Sequence, residues 1–134
     1  MLKDIPNLVV ENIVVAVVLE DNEEGETGWN VYLINLYETK IDGVLVTSKG
    51  YGNYKGKSVK TSILRHLIGT VDPDDYAKIE PIMSDVFGLS NEYWISFYLN
   101  KHMYDKKYIF LPETICEENF TMIPVLKKRG VMIR

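Results

Sequence analysis

The segment Asn91–Leu111, NEYWISFYLNKHMYDKKYIFL, decides the fold class. From Tyr93 the residues alternate. Tyr93, Ile95, Phe97 and Leu99 leave one side, and Trp94, Ser96 and Tyr98 leave the other. A period of two belongs to a strand, whose successive side chains point to opposite faces. A helix would need apolar residues three and four apart, and it would wrap these aromatics around its cylinder. Aromatic residues also suit a pleated, half-buried surface. The polar run Asn100–Lys106 predicts a turn. Alternation then resumes over Lys107–Leu111, with Tyr108 and Phe110 opposed to Ile109 and Leu111, and Pro112 ends it because proline has no N–H for a ladder. One face of the first strand is apolar. The other carries Trp94 and Tyr98, large groups with a polar edge, which points either to cover by a loop or the C-terminal tail or to an aromatic binding surface.

Around this hairpin the chain reads as more strands. Leu8–Glu20 is rich in Val and Ile and reads as one long strand or as two broken near Glu11 and Asn12, and its continuous run Ile13–Leu19 predicts a central strand buried on both faces. The acidic, glycine-bearing stretch Asp21–Gly28 predicts a solvated turn. Trp29–Glu38 alternates, Thr39–Gly43 turns the chain, and Val44–Ser48 follows; these two strands are expected to form a second hairpin. Ser58–Val71 fits both a helical stripe and an alternating strand. Its Ser, Thr and β-branched content favours a strand over Lys57–His66 and a turn through Gly69–Asp75. Tyr76–Met83 reads as a strand. Val86 and Phe87 are apolar plugs in a connection, and Glu113–Asn119 could make one helical turn. Lys127–Gly130 reads as a turn before a short edge strand at Val131–Arg134. The pattern predicts an all-β protein: an antiparallel β-sandwich, immunoglobulin-like or similar, of about seven or eight strands with at most one short helix.

The chain has 134 residues, 46% hydrophobic and 25% charged, the proportions of one globular domain over residues 1–134. A chain of that size buries about two thirds of its unfolded surface, so it needs neither disulfides nor a metal to fold. The net charge of −4 argues against a dedicated nucleic-acid binder, whose footprint is a basic patch. The single cysteine, Cys116, has no internal partner, and the opening MLKDIPN lacks the apolar core of a secretion signal. Both point to a cytoplasmic protein. The most apolar run is far short of the roughly 20 residues a membrane helix needs, so no membrane partner is expected.

Candidate chemistry is sparse. His66, His102 and Cys116 are the whole stock of soft ligands and no pair has ligand spacing, so no metal and no cofactor are expected. There is no GxSxG elbow, and the acidic neighbours Glu117 and Glu118 argue against Cys116 as a nucleophile. Lys49–Lys57, KGYGNYKGK, combines glycines with tyrosines and lysines. It reads either as a flexible hairpin tip or as a contact surface for anionic or planar partners through Lys49, Tyr51, Tyr54 and Lys55. Lacking GxxxxGK[ST], it is not a P-loop. Arg65 and His66 would face opposite ways on a strand. If the glycine-rich segment folded back, Lys49, Lys55 and Arg65 would form a small anion site. The tail Lys127, Lys128, Arg129 and Arg134 is locally basic, either a solvated face or an RNA contact.

The segments VENIVVAVV, WNVYLINLYE, TSKGYG, LRH, IEP, NEYW and YDKKYIF, with the ending GVMIR, resemble a small uncharacterised bacterial protein family. Some of its members carry the label of a phenylalanyl-tRNA synthetase subunit. This chain is far too short for a catalytic subunit and has no class II synthetase motif, so the resemblance implies no activity and no site. The residues themselves favour a non-enzymatic β-sandwich module that binds a protein partner or a second copy of itself. An RNA- or tRNA-associated accessory domain comes next, and a small-ligand or hydrolytic domain third. Lys49, Tyr51, Tyr54, Lys55, Arg65, His66, Trp94 and Tyr98 are the candidate contact residues.

Overall fold

The computed structural model of the chain describes residues 9–134. Its strands are β1 (Ile13–Asp21), β2 (Thr27–Asn35), β3 (Ile41–Tyr54), β4 (Lys57–Lys60), β5 (Leu64–Val71), β6 (Asp75–Ile82), β7 (Ser90–Leu99), β8 (His102–Phe110), β9 (Thr121–Ile123) and β10 (Lys128–Ile133). Single 3-10 turns occur at Ser84–Val86 and Glu117–Asn119. The strands form two antiparallel sheets. The first has the order β6-β2-β1-β10-β9, and the second β4-β3-β7-β8, with β5 also on β3. The all-β antiparallel sandwich follows the sequence reading. The described strands number ten because residues 57–71 hold two strands and Thr121–Ile123 adds another. Among the described residues no helix is long and apolar enough to cross a membrane.

β1 is the central strand of the first sheet, and Ile13 through Val18 are fully buried, as the apolar run predicts. Leu8, which that reading placed at the start of the strand, lies outside the described residues, as does the MLKDIPN opening. Ile13, Val15 and Val17 face the core between the sheets, where they meet Tyr93, Ile95, Phe97, Tyr108 and Phe110. Val14, Ala16 and Val18 face the other way and form a second apolar cluster with Tyr32, Ile34 and Ile123. Val125 and Leu126, in the loop between β9 and β10, pack onto that cluster. Val125 holds φ of 68°, costly for a β-branched residue, and burial of apolar surface offsets the strain.

Several local readings need correction. β2 and β3 do not form a hairpin: they belong to different sheets. Both edges of β2 are taken, by β1 and β6. The buried Asn35 organises the crossing. Its Oδ1 accepts from Tyr37 N at 2.9 Å, and its Nδ2 donates to Thr39 O, Val71 O and Asp72 O at 3.0 to 3.1 Å. The central hairpin turns at Asn100 and Lys101 alone, both at positive φ, and not over Asn100–Lys106. Two left-handed residues match the twist of the flanking strands, so β8 begins at once with His102.

The glycine-rich segment is mostly strand. β3 runs through it to Tyr54 and turns at Lys55 and Gly56. The expected strand Lys57–His66 is interrupted at Thr61–Ile63, and β5 continues through Gly69 to Val71. The interruption bridges two pairings of one neighbour. β5 pairs with β3 up to Ser48 and β4 from Tyr51. Between them Thr61 completes the ladder, its N–H donating to Gly50 O at 2.8 Å and its Oγ1 accepting from Gly50 N at 2.7 Å.

Of Lys127–Gly130 only Lys127 belongs to a turn, at φ of 56°, and Lys128 already begins a strand. Lys128–Ile133 is one strand, β10, that pairs with β9 over Lys128–Gly130 and with β1 over Gly130–Ile133, so Val131–Ile133 has a strand on one side only, as the expected edge strand requires. The Lys-rich composition misleads because Lys128 and Arg129 project to solvent while Gly130 presses against the backbone of β1. A methyl group at Gly130 would collide with Val17 O and Val18 Cγ1. Gly130→Ala is therefore expected to lower the unfolding free energy by about 1–3 kcal/mol, the scale of overpacking a closed site. Urea unfolding of the two proteins checks this, and equal midpoints would show that β10 shifts freely.

Candidate functional site

The two sheets differ on their outer sides. The first sheet's outer side is an apolar layer under the β9–β10 loop. On the second, residues that alternate away from the core remain open. The register sets them in rows across the strands: Leu67, Leu45, Ser96 and Asp105 in one, and Arg65, Thr47, Trp94 and Lys107 in the next. Tyr98 pairs with Met103 on one side of these rows, and Lys49 with Glu92 and Ile109 on the other. Exposure is high for apolar groups: Leu67 79%, Met103 56%, Tyr98 49% and Trp94 44%. No other described segment covers them.

Local chemistry fixes the large groups. Trp94 Nε1 donates to Asp105 Oδ2 at 2.9 Å, and Lys107 Nζ stands 5.0 Å from the Trp94 ring centroid. Gly43, with φ of 57°, lies beneath the Tyr98 ring, and a methyl there would sit 3.3 Å from its Cδ2. Lys49 pairs with the buried carboxylate of Glu92 at 3.8 Å and stands 5.7 Å from the Tyr51 ring centroid. Tyr51 OH donates to Glu92 Oε1 at 3.3 Å. Burial, then the Glu92 charge and hydrogen bond, push the Tyr51 phenol above its ordinary pKa of 10.

Five of the eight candidate residues, Lys49, Tyr51, Arg65, Trp94 and Tyr98, share this face. Tyr54 and Lys55 occupy the distant β3–β4 tip, with Lys55 Nζ 5.3 Å from the Tyr54 ring centroid. The fold does not bring Lys49, Lys55 and Arg65 together. In the basic tail, Lys128 is bonded to Glu20, and Arg129 reaches Phe120 O at 3.5 Å. Leu45, Leu67, Met103 and Ile109 belong to the face but escape sequence reading, because isolated apolar residues on strands look like core.

His66 points the other way from Arg65, as a strand requires, and enters a polar latch. Glu80 on β6 receives Ser48 Oγ and hydrogen-bonds His66 Nε2, both at 2.7 Å through Oε1, and Tyr93 OH at 3.2 Å through Oε2. β6 belongs to the first sheet, and Ser48, His66 and Tyr93 to the second, so one carboxylate ties the two edges together. Burial and the Glu80 charge push the Tyr93 phenol far above its ordinary pKa. The arrangement is not that of a serine nucleophile. Ser48 donates to the carboxylate rather than to the imidazole, whereas activation requires the base to receive the hydroxyl proton. A cleft of about 380 Å³ lies beside the latch, lined by Thr61, Ser62, Asp85 and Asn91 among others. Among the described residues no buried side-chain nitrogen or oxygen lacks a hydrogen-bond partner, and no three His, Cys, Asp or Glu side chains gather to hold a metal ion.

A second carboxylate, Glu20, accepts Asn30 Nδ2 at 2.7 Å, Tyr32 OH at 2.6 Å and Lys128 Nζ, linking β1, β2 and β10. Burial alone would raise its pKa. The bonds from Lys128, Tyr32 and Asn30, together with the lysine charge, outweigh burial and hold it below the ordinary 4.5.

Comparison of the chain with protein-family models, curated proteins and solved structures gives no match.

Two stability measurements follow from the carboxylates. Glu80→Ala strips partners from Ser48 and Tyr93 and is expected to cost about 1–3 kcal/mol in chemical denaturation at pH 7; no loss would mean that the latch bears no stability. Glu20→Gln is expected to be less stable than the parent at pH 7. A carboxylate with a depressed folded pKa stabilises the fold above its unfolded pKa and loses that effect as pH falls through the folded value. The gap between the two proteins should therefore close below pH 4.5, and a gap constant down to pH 2 would contradict the assignment.

Proposed function

We propose that the protein is a non-enzymatic, cytoplasmic protein-binding module that docks its partner on the outer face of the second sheet. The shared exposure of Leu67, Met103, Tyr98 and Trp94 on the outer side of one sheet carries this reading. Apolar surface of this extent on a folded sandwich marks an interaction site. Aromatic residues and arginine among aliphatic neighbours are also the composition of protein interfaces. The lone Cys116 supports the cytoplasmic setting.

The edges are poorer candidates than the face. β6 carries Pro81 at its edge and β9 spans only three residues. β8 presents Lys106 and Lys107, and Gly69 in β5 adopts φ of 90° beside a register shift. These are devices that discourage strand addition. An RNA reading draws on the same aromatics, but the lysines already occupy the Trp94 and Tyr51 rings, where a base would stack. The aliphatic residues between them offer nothing to a base, and the net charge of −4 opposes a phosphate backbone.

A photo-crosslinking amino acid at Ser96, at the centre of the face, tests the proposal in the native cell. The control position is the exposed Lys78 on β6. The expected result is a discrete protein adduct from position 96, absent from position 78 and lost when Leu67→Glu is added. An RNA adduct, or equal adducts from both positions, would overturn the reading.

A further inference from the structure

We propose that the partner on this face is a second copy of the chain, related by a two-fold axis that lies in the interface and runs across the strands. This rests on the protein-docking reading above and names its occupant. The face is polarised along its strands. Asp105, opposite Ser96, and Asp42, opposite Tyr98 and 3.9 Å from the exposed Lys40, place the carboxylates toward one end. Arg65, Lys107 and Lys49 gather toward the other, where Lys49 pairs with the buried Glu92.

A two-fold axis midway between the Leu45–Ser96–Asp105 row and the Thr47–Trp94–Lys107 row exchanges the ends. It sets Asp105 against Lys107 of the second copy, and Asp42 against Lys49. On β8 it sets Met103 against Ile109, both exposed and apolar. At the centre it brings the Trp94 ring over the small Ser96, so bulk meets space. Every contact occurs twice, as an isologous interface requires. The strands of the two copies stack roughly aligned, the packing that sheet faces adopt about 10 Å apart. An axis along the strands would instead oppose Arg65 to Lys107. Charge therefore selects the transverse axis.

The test is complementation between charge-reversed variants of the full chain. Sedimentation from about 1 to 300 μM should show the 15.4 kDa chain doubling in mass. Asp105→Lys and Lys107→Asp, each alone, place like charges in contact twice per dimer and should weaken association by about ten-fold or more. Mixing the two variants should restore it, since each then meets its opposite on the other chain. Both residues are exposed, so both variants should fold, and circular dichroism of each checks that losing the Trp94 hydrogen bond or the lysine over its ring leaves the sandwich intact. A wild-type chain that stays monomeric throughout overturns the second copy, while a crosslink from Ser96 to a different protein would leave the docking reading intact. A dimer whose single variants associate normally, or whose mixture fails to recover, overturns this axis.

Discussion

The burial of β1 on both faces is the constraint from which the rest of the molecule follows. A strand with six consecutive fully buried residues, Ile13–Val18, needs an apolar layer on each side and a hydrogen-bonded neighbour at each edge. β2 and β10 supply the edges. The second sheet supplies one layer, and the β9–β10 loop with Val125 and Leu126 contributes to the other. Gly130 is required where β10 closes on the Val17 carbonyl, and the strained Val125 is tolerated where the loop seals the outer layer.

This makes the sandwich unequal. Among the described residues its first sheet carries apolar cover on both sides and its second on one. Polar links hold the two together at several points: Glu80 with Ser48, His66 and Tyr93 along one side, and Tyr108 OH, which donates to Ile13 O at 2.7 Å in the core. These groups bond one another, and their chemistry is spent on holding the sheets in place. The residues left with unused capacity lie outside, on β3, β5, β7 and β8. The division of labour is physical. A doubly covered sheet gives rigidity, and a rigid scaffold can display an apolar face without collapsing around it.

Self-association and display of that face are linked. Edge pairing is discouraged by proline, lysines, a short strand and an irregular register, so contact is steered from backbone ladders to side chains. Side-chain contact carries specificity through charge, and the arrangement of Asp42, Asp105, Lys49, Arg65 and Lys107 along the strands provides it.

The class of structure, the core face of Tyr93–Leu99 and the double burial of Ile13–Val18 were legible in the sequence alone. Alternation in Tyr93–Leu99 and the unbroken apolar run Ile13–Val18 are local signals, and they survive because a strand's period of two does not depend on its neighbours. Alternation also separated Arg65 from His66 and placed Trp94 and Tyr98 together on the side away from the core. Which strands pair, that β2 and β3 part into different sheets, and that β10 joins β9 to β1 through Gly130 came from the tertiary structure. Pairing depends on edges far apart in sequence, and a charged run such as KKRG reads alike in a turn and at the exposed start of a strand. The open face depended on the same decision. Leu45, Leu67 and Met103 are ordinary strand residues until the fold covers one sheet twice and leaves the other open.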